Sequence, residues 1–169
     1  DPAKVNQALE KEVRAAMQKQ PENLGLLGQL GSLLLLQGKA DEAEAELRAA
    51  LKASPRDQAA LLNMARVNLV KKKPEEAMGI LRMLLDANPK HIEGNLVAAQ
   101  AELLRGRTTE AIGHYQAVLQ TNPRIVAANL AMAELSMARG ETDTASRYAR
   151  AALAENPNAA SAHVVLGNV

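Results

Sequence analysis

Residues 88–123 read NPKHIEGNLVAAQAELLRGRTTEAIGHYQAVLQTNP, and this stretch decides the fold. It opens and closes on Asn-Pro. Proline lacks the amide N–H that a helix interior needs, and it pushes the preceding residue out of the helical region. Asn88-Pro89 and Asn122-Pro123 therefore each end one helix and start the next. Gly106 divides what lies between them into two apolar-rich segments joined by a short turn. Working outward, Pro21, Pro55, Pro89, Pro123 and Pro157 stand 34 residues apart at every step. The same period carries Ala43, Ala77, Ala111 and Ala145, and also Leu51, Leu85, Leu119 and Leu153. A third column holds small residues, Gly31, Ala65, Ala99, Ala133 and Gly167. The mid-unit turn has Gly38, Gly106 and Gly140, with Lys72 in the remaining slot. Each unit reads as helix, turn, helix, turn.

The columns have physical reasons. Small residues midway along the first helix and at the start of the second let two helix axes approach closely. Asp41, Glu42, Glu75, Glu76, Glu110 and Asp143 gather where second helices begin, and Lys71, Arg105 and Arg139 where first helices end. Both placements suit the helix dipole. Tyr115 and Tyr148 are the only aromatic residues among 169, so the core must come from Leu, Ala, Val and Met. Those residues on balance favour helices over sheets. The expected class is all-α.

Twenty Lys and Arg stand against 19 Asp and Glu, a formal net charge of +1. A balance this even excludes the strongly basic domain that non-specific nucleic-acid binding requires, so no nucleic-acid partner is expected. The absence of cysteine excludes disulfides, thiolate metal sites and thiol catalysis, and it leaves the compartment open. No apolar run approaches the ~18 to 20 residues that cross a bilayer, so direct membrane insertion is not expected. The start, Asp1 to Glu12, is charged, unlike a signal peptide.

The period, the Leu30-Gly31 pair, the Ala43, Leu47 and Ala50 columns and the closing prolines together resemble the tetratricopeptide repeat (TPR) family over the whole chain. The resemblance is to its bacterial type, as a stretch of a longer array. Departures occur where the family has Trp (Leu27, Leu61, Asn95 and Asn129 here), and where it has Tyr (Leu34, Asn68, Glu102 and Ser136). The family's Phe survives only as Tyr115. What the resemblance implies is a right-handed superhelical solenoid of antiparallel helix pairs, a single domain over 1–169. Its complete repeats would be 24–57, 58–91, 92–125 and 126–159. Residues 3–20 read as a second helix without its first, and 160–169 as a first helix without its second. The apolar end at Ala162, Val164, Val165 and Val169 suggests a continuation of the array or docking on another copy.

Nothing in the sequence has the spacing of a catalytic, cofactor or metal site. His91, His114 and His163 are 23 and 49 residues apart and fit solvated surface histidines better than ligands. Glu75 and Glu76 read as helix-start charge, not as an acid/base pair. Neither a nucleophile elbow nor a phosphate loop is present. Lys71 to Lys73, and Arg56, Lys90 and Arg124 after successive prolines, fit a solvated edge better than a phosphate ridge, since no aromatic side chain interleaves with them.

Binding through shape remains. In a stacked array the first helices line an extended concave face, and the family resemblance implies which residues point into it. They are an apolar floor of Leu62, Leu96 and Leu130, a polar ladder of Ser32, Arg66, Gln100 and Glu134, and a second apolar row of Leu35, Leu69, Leu103 and Met137. The leucines of these rows suit the helix-pair core equally well. TPR co-chaperones that hold acidic C-termini carry a clamp of Lys and Asn on this face. The corresponding slots here are Gly28, Ser32, Asn63, Glu93 and Val97, of which only Asn63 matches. A greasy groove with sparse charge suits a helical or extended apolar segment of a protein partner. The expected function is therefore a protein-interaction scaffold, not an enzyme. The alternative is a self-assembly module that pairs through its ends, Ala162 to Val169 included. The Ala-rich, aromatic-poor style also resembles bacterial arrays in envelope and exopolysaccharide-export proteins, which favours a periplasmic or envelope-associated place over the cytoplasm.

Overall fold

The computed structural model describes residues 1–21, 23 and 25–169. Leu24, where the first complete repeat is expected to begin, lies outside the described residues. Among the described residues there are ten α-helices and no strand. They fall into two compact units, Asp1–Asn88 and Pro89–Val169.

The first unit holds α1 (Pro2–Lys19), α2 (Gly25–Leu36), α3 (Ala40–Ala53), α4 (Gln58–Val70) and α5 (Pro74–Ala87). Helices α2 and α3 pair, as do α4 and α5, while α1 rests on α2, α3 on α4, and α2 lies beside α4. Leu30, Leu34, Ala43, Leu47, Ala50, Ala60, Met64 and Val67 form the core, with Val13 and Met17 of α1 against it. A β-carbon built on Gly31 would sit 2.5 Å from Leu47 Cγ, so the second helix presses directly on the first at the small-residue column.

The second unit holds α6 (Ile92–Leu104), α7 (Thr108–Thr121), α8 (Val126–Ala138), α9 (Thr142–Glu155) and α10 (Ala160–Gly167). Helices α6 and α7 pair, α8 and α9 pair, α7 rests on α8, and α10 packs on α8 and α9. Its core uses smaller side chains. Ala133, Ala145, Ala149, Ala152 and Ala162 form one cluster, and Ala99, Ala111, Tyr115, Val118, Ala128 and Met132 another.

The mid-unit turns repeat one geometry. Gly38, Gly106 and Gly140 have φ of 75°, 73° and 75°, and Lys72 takes 58° in the same slot. The residue after each donates its amide back to the last turn of the first helix. These bonds are Lys39 to Leu34 O (2.9 Å), Lys73 to Asn68 O (2.8 Å), Arg107 to Glu102 O (2.8 Å) and Glu141 to Ser136 O (2.9 Å). A left-handed residue closing a helix in this way satisfies carbonyls that would otherwise be left unpaired. Glycine enters that conformation without the Cβ clash, and lysine does not.

Where the family has Trp, the second unit has polar side chains that tie down the turn before them. Asn95 Nδ2 donates to the carbonyl oxygens of Pro89 (2.9 Å) and His91 (3.1 Å), and Asn129 Nδ2 to those of Pro123 (2.8 Å) and Ile125 (3.1 Å). His163 Nε2 lies 2.9 Å from Pro157 O. An exposed turn is thereby anchored to a buried amide in place of a ring.

Candidate functional site

On α4 the spacing of four and three residues puts Leu62, Arg66 and Leu69 on one face. Leu62 is 8% exposed, so it gives more to the interior than to a partner, whereas Leu69 is half-buried. Asn63, also 8% exposed, accepts at Oδ1 from Arg66 Nη1 (3.3 Å). That donor fixes which end of the amide is oxygen and leaves Nδ2 free to donate elsewhere. On α2, Ser32 is half-buried, and Leu35 is half-buried against the core of its unit.

Ser32 and Asn63 meet on one cleft between α2 and α4, with a volume of about 450 Å³. Gly25, Gly28, Gln29 and Asp57 complete most of its wall. Gly28 stands where the other units have Leu62, Leu96 and Leu130, and a β-carbon there would meet nothing within 4 Å. The missing side chain opens the cleft. Asp57 caps α4 by accepting from Ala60 N at 2.8 Å.

In the second unit, Leu96 is half-buried against the Tyr115 cluster, Leu130 and Met137 are half-buried against the Ala145 cluster, and Gln100 and Glu134 are exposed. Leu103 is 37% exposed. Three further apolar residues, one step beyond the Leu35, Leu69 and Leu103 row, are more exposed than the row itself: Leu36 at 69%, Val70 at 59% and Leu104 at 63%. Their 34-residue recurrence is legible in the sequence, whereas their exposure follows from packing.

Ion pairs tie helices together in the first unit. Glu10 is held by Arg14, Gln37 and Lys39, and these contacts bring its carboxyl down to about 2. Lys71 Nζ lies 2.6 Å from both Asp41 Oδ1 and Glu44 Oε2, bracketing α4 to α3. The hydrogen bonds lower both carboxyls and raise the lysine.

Two of the three histidines differ from the solvated residues expected, while His163 is exposed. His91 Nδ1 accepts from Gly94 N at 3.0 Å and caps α6. His114 is half-buried, with Nδ1 2.9 Å from Asn95 Oδ1, and burial lowers its pKa against the opposing pull of Glu102. Both departures arise because the unit's turn and helix pair need polar partners there. Among the described residues no group of three or more His, Asp or Glu could hold a metal ion. Among the described residues no helix is long and apolar enough to cross a membrane.

Paired antiparallel helices on a 34-residue period, with small residues at each crossing, define an all-α helical-repeat protein. The sequence profile of the tetratricopeptide repeat family matches residues 34–103 and 102–168, and the chain belongs to that family. Among solved structures it is similar to a tetratricopeptide repeat protein from Parabacteroides merdae, with 26% identity over 96% of this chain and 67% of that one, at a TM-score of 0.73. It is also similar to a thermophilic TPR protein of Thermus thermophilus, TTC0263, with 18% identity over 96% of this chain and 89% of that one, TM-score 0.82. A third likeness is to YrrB, described as a TPR protein with an unusual peptide-binding site. It has 15% identity over 97% of this chain and 84% of that one, TM-score 0.72. The last two speak for the fold alone. No curated protein sequence matches the chain.

Proposed function

We propose that this protein is a non-catalytic scaffold whose first helices bind a helical or extended apolar segment of a protein partner. The TPR fold is that of a protein-interaction scaffold, and the finer reading rests on where apolar surface is left open. Among the described residues, apart from the end helices α1 and α10 and the C-terminal Val169, the exposed large apolar side chains are Leu36, Val70, Leu103 and Leu104, which belong to first helices, and Met83 on α5. Contiguous apolar surface left open marks interaction sites in soluble proteins, and the recurrence of Leu36, Val70 and Leu104 at one place in the repeat supports this face. Ser32, Leu35, Asn63, Arg66 and Leu69 are the proposed binding residues of the first unit, with Leu62 as the largely buried floor beneath them. Leu96, Gln100, Leu103, Leu130, Glu134 and Met137 are those of the second.

The test uses peptides selected on the 169-residue protein from a random-peptide phage library. Val70→Asp and Leu103→Asp should weaken them about tenfold or more, consistent with loss of a buried anchor, while Met83→Asp should not. Equal loss at Met83, or none at all three, overturns the reading. A second reading, pairing of copies through their ends, draws on Val5 (56% exposed) and Leu9 on α1 and Val164 (61%) on α10. Light scattering that shows mass rising with concentration would support it.

A further inference from the structure

Four basic side chains are half-buried among the described residues: Lys39, Arg66, Lys71 and Arg105. Three of them lie against carboxylates. Lys39 meets Glu10 at 3.1 Å, Lys71 meets Asp41 and Glu44, and Arg105 meets Glu102 at 2.8 Å. Arg66 alone has no acid beside it among the described residues, and its partner is the neutral Oδ1 of Asn63. The remaining basic residues without a carboxylate are exposed to solvent, where water serves them.

The surroundings of Arg66 make that exception meaningful. Helix α2 reads GLLGQLGSLLLL and α4 reads QAALLNMARVNLV, so Arg66 is the single charged residue on the two helices that lie side by side. Along the helix the largely buried Leu62 precedes it, and half-buried Leu69 and exposed Val70 follow. Asn63, which accepts from Arg66, lines the cleft together with Ser32, while Arg66 does not itself line it. A partly desolvated guanidinium without an acid has lost hydration that an amide oxygen replaces only in part.

The geometry points to a carboxylate reader: Arg66, with Asn63 and Ser32, takes the side chain of one Asp or Glu within an otherwise apolar segment of a partner protein. This rests on the first-helix binding face proposed above and names its specificity. A single guanidinium matches a single carboxylate. A phosphate dianion carries about −1.5 to −2 and asks for more positive charge than this face has, and nucleic-acid backbones require many cations. Half-buried Leu69 and exposed Val70 beyond Arg66 fit a chain that continues past the acid, which favours a side-chain carboxylate over a C-terminal one. Among the described residues Asp57 is the one acid on the cleft, and it is taken up in capping α4.

The experiment starts from the same phage selection on the 169-residue protein, with the selected sequences resynthesised as C-terminal amides. Affinities are measured by fluorescence anisotropy at low and high salt, on variants whose melting shows them folded. The peptides should share an Asp or Glu flanked by Leu, Ile, Val or Met. Arg66→Gln should weaken them about tenfold and flatten the salt dependence, as expected for loss of a charge-assisted bond, without lowering the melting temperature. Arg66→Glu should recover affinity for a peptide whose acid is changed to Lys. Wild-type affinity in both Arg66 variants, or binding lost on amidation, overturns the carboxylate reader. If Val70→Asp still abolishes binding in the first case, the apolar face survives without it. If Val70→Asp has no effect either, both readings fall.

Discussion

Leu47 of the second helix presses on Gly31 of the first so closely that a β-carbon on Gly31 would lie 2.5 Å from Leu47 Cγ and 2.7 Å from its Cδ2. Gly31→Ala should therefore cost about 1 to 3 kcal/mol through overpacking. Gly79 on α5 and Gly113 on α7 are exposed helix-interior positions where a β-carbon meets nothing within 4 Å. Alanine there should stabilise by about 0.5 to 1 kcal/mol. Denaturant melts of the three variants check the sign at each site.

The small-residue column makes a second packing prediction. Ala99 is fully buried and Ala154 is exposed. Ala99→Leu should cost about 1 to 3 kcal/mol, and Ala154→Leu under about 0.5 kcal/mol. Equal midpoint shifts would contradict the register.

Lys72 sits at φ 58° in a slot where the other three turns have glycine. Lys72→Gly should stabilise the first unit by about 1 kcal/mol, since a side chain in the left-handed region costs about that much. Gly106→Ala should destabilise the second unit by a similar amount. Differential scanning calorimetry reads both.

Glu10 and His114 each make stability depend on pH. Glu10 holds its proton less readily in the fold than in the unfolded chain, with a folded value of about 2 against an ordinary 4.5. Its contribution is therefore present above 4.5 and lost as pH falls toward 2. Amide hydrogen exchange on α1, which Glu10 ties to Gln37 and Lys39, should accelerate across that window, and Glu10→Gln should remove the dependence. His114 is also lowered, by burial, so its neutral form belongs to the fold. The unfolded chain takes up the proton first, and stability should fall as pH drops below about 6.5. Replacing His114 with Gln should flatten that second slope.

Helix positions were legible because each depends on a local device repeated in register: a proline that cannot continue a helix, a glycine that can turn left-handed, an alanine that lets helices touch. What stayed hidden depends on contacts between residues far apart in sequence or on accessibility. Asn95 and Asn129 stand where a ring is usual, and nothing local says that they reach back to prolyl carbonyls six residues earlier. His114 looked solvated because burial against Asn95 requires the helix pair to exist first. Leu62 and Leu69 share a face by spacing, yet the degree of burial that separates them comes from packing. The unusual state of Arg66 emerged only when every other half-buried cation could be seen beside its carboxylate.

The most direct test of the binding face is a residue-by-residue map of where a selected peptide lands. Titrating the isotopically labelled protein with such a peptide and following backbone amide shifts locates the contact without any substitution. Shifts concentrated on α2 and α4, or on α6 and α8, with α3, α5, α7 and α9 quiet, are the result the account predicts. Shifts confined to the second helices, or to α1 and α10 alone, would contradict it.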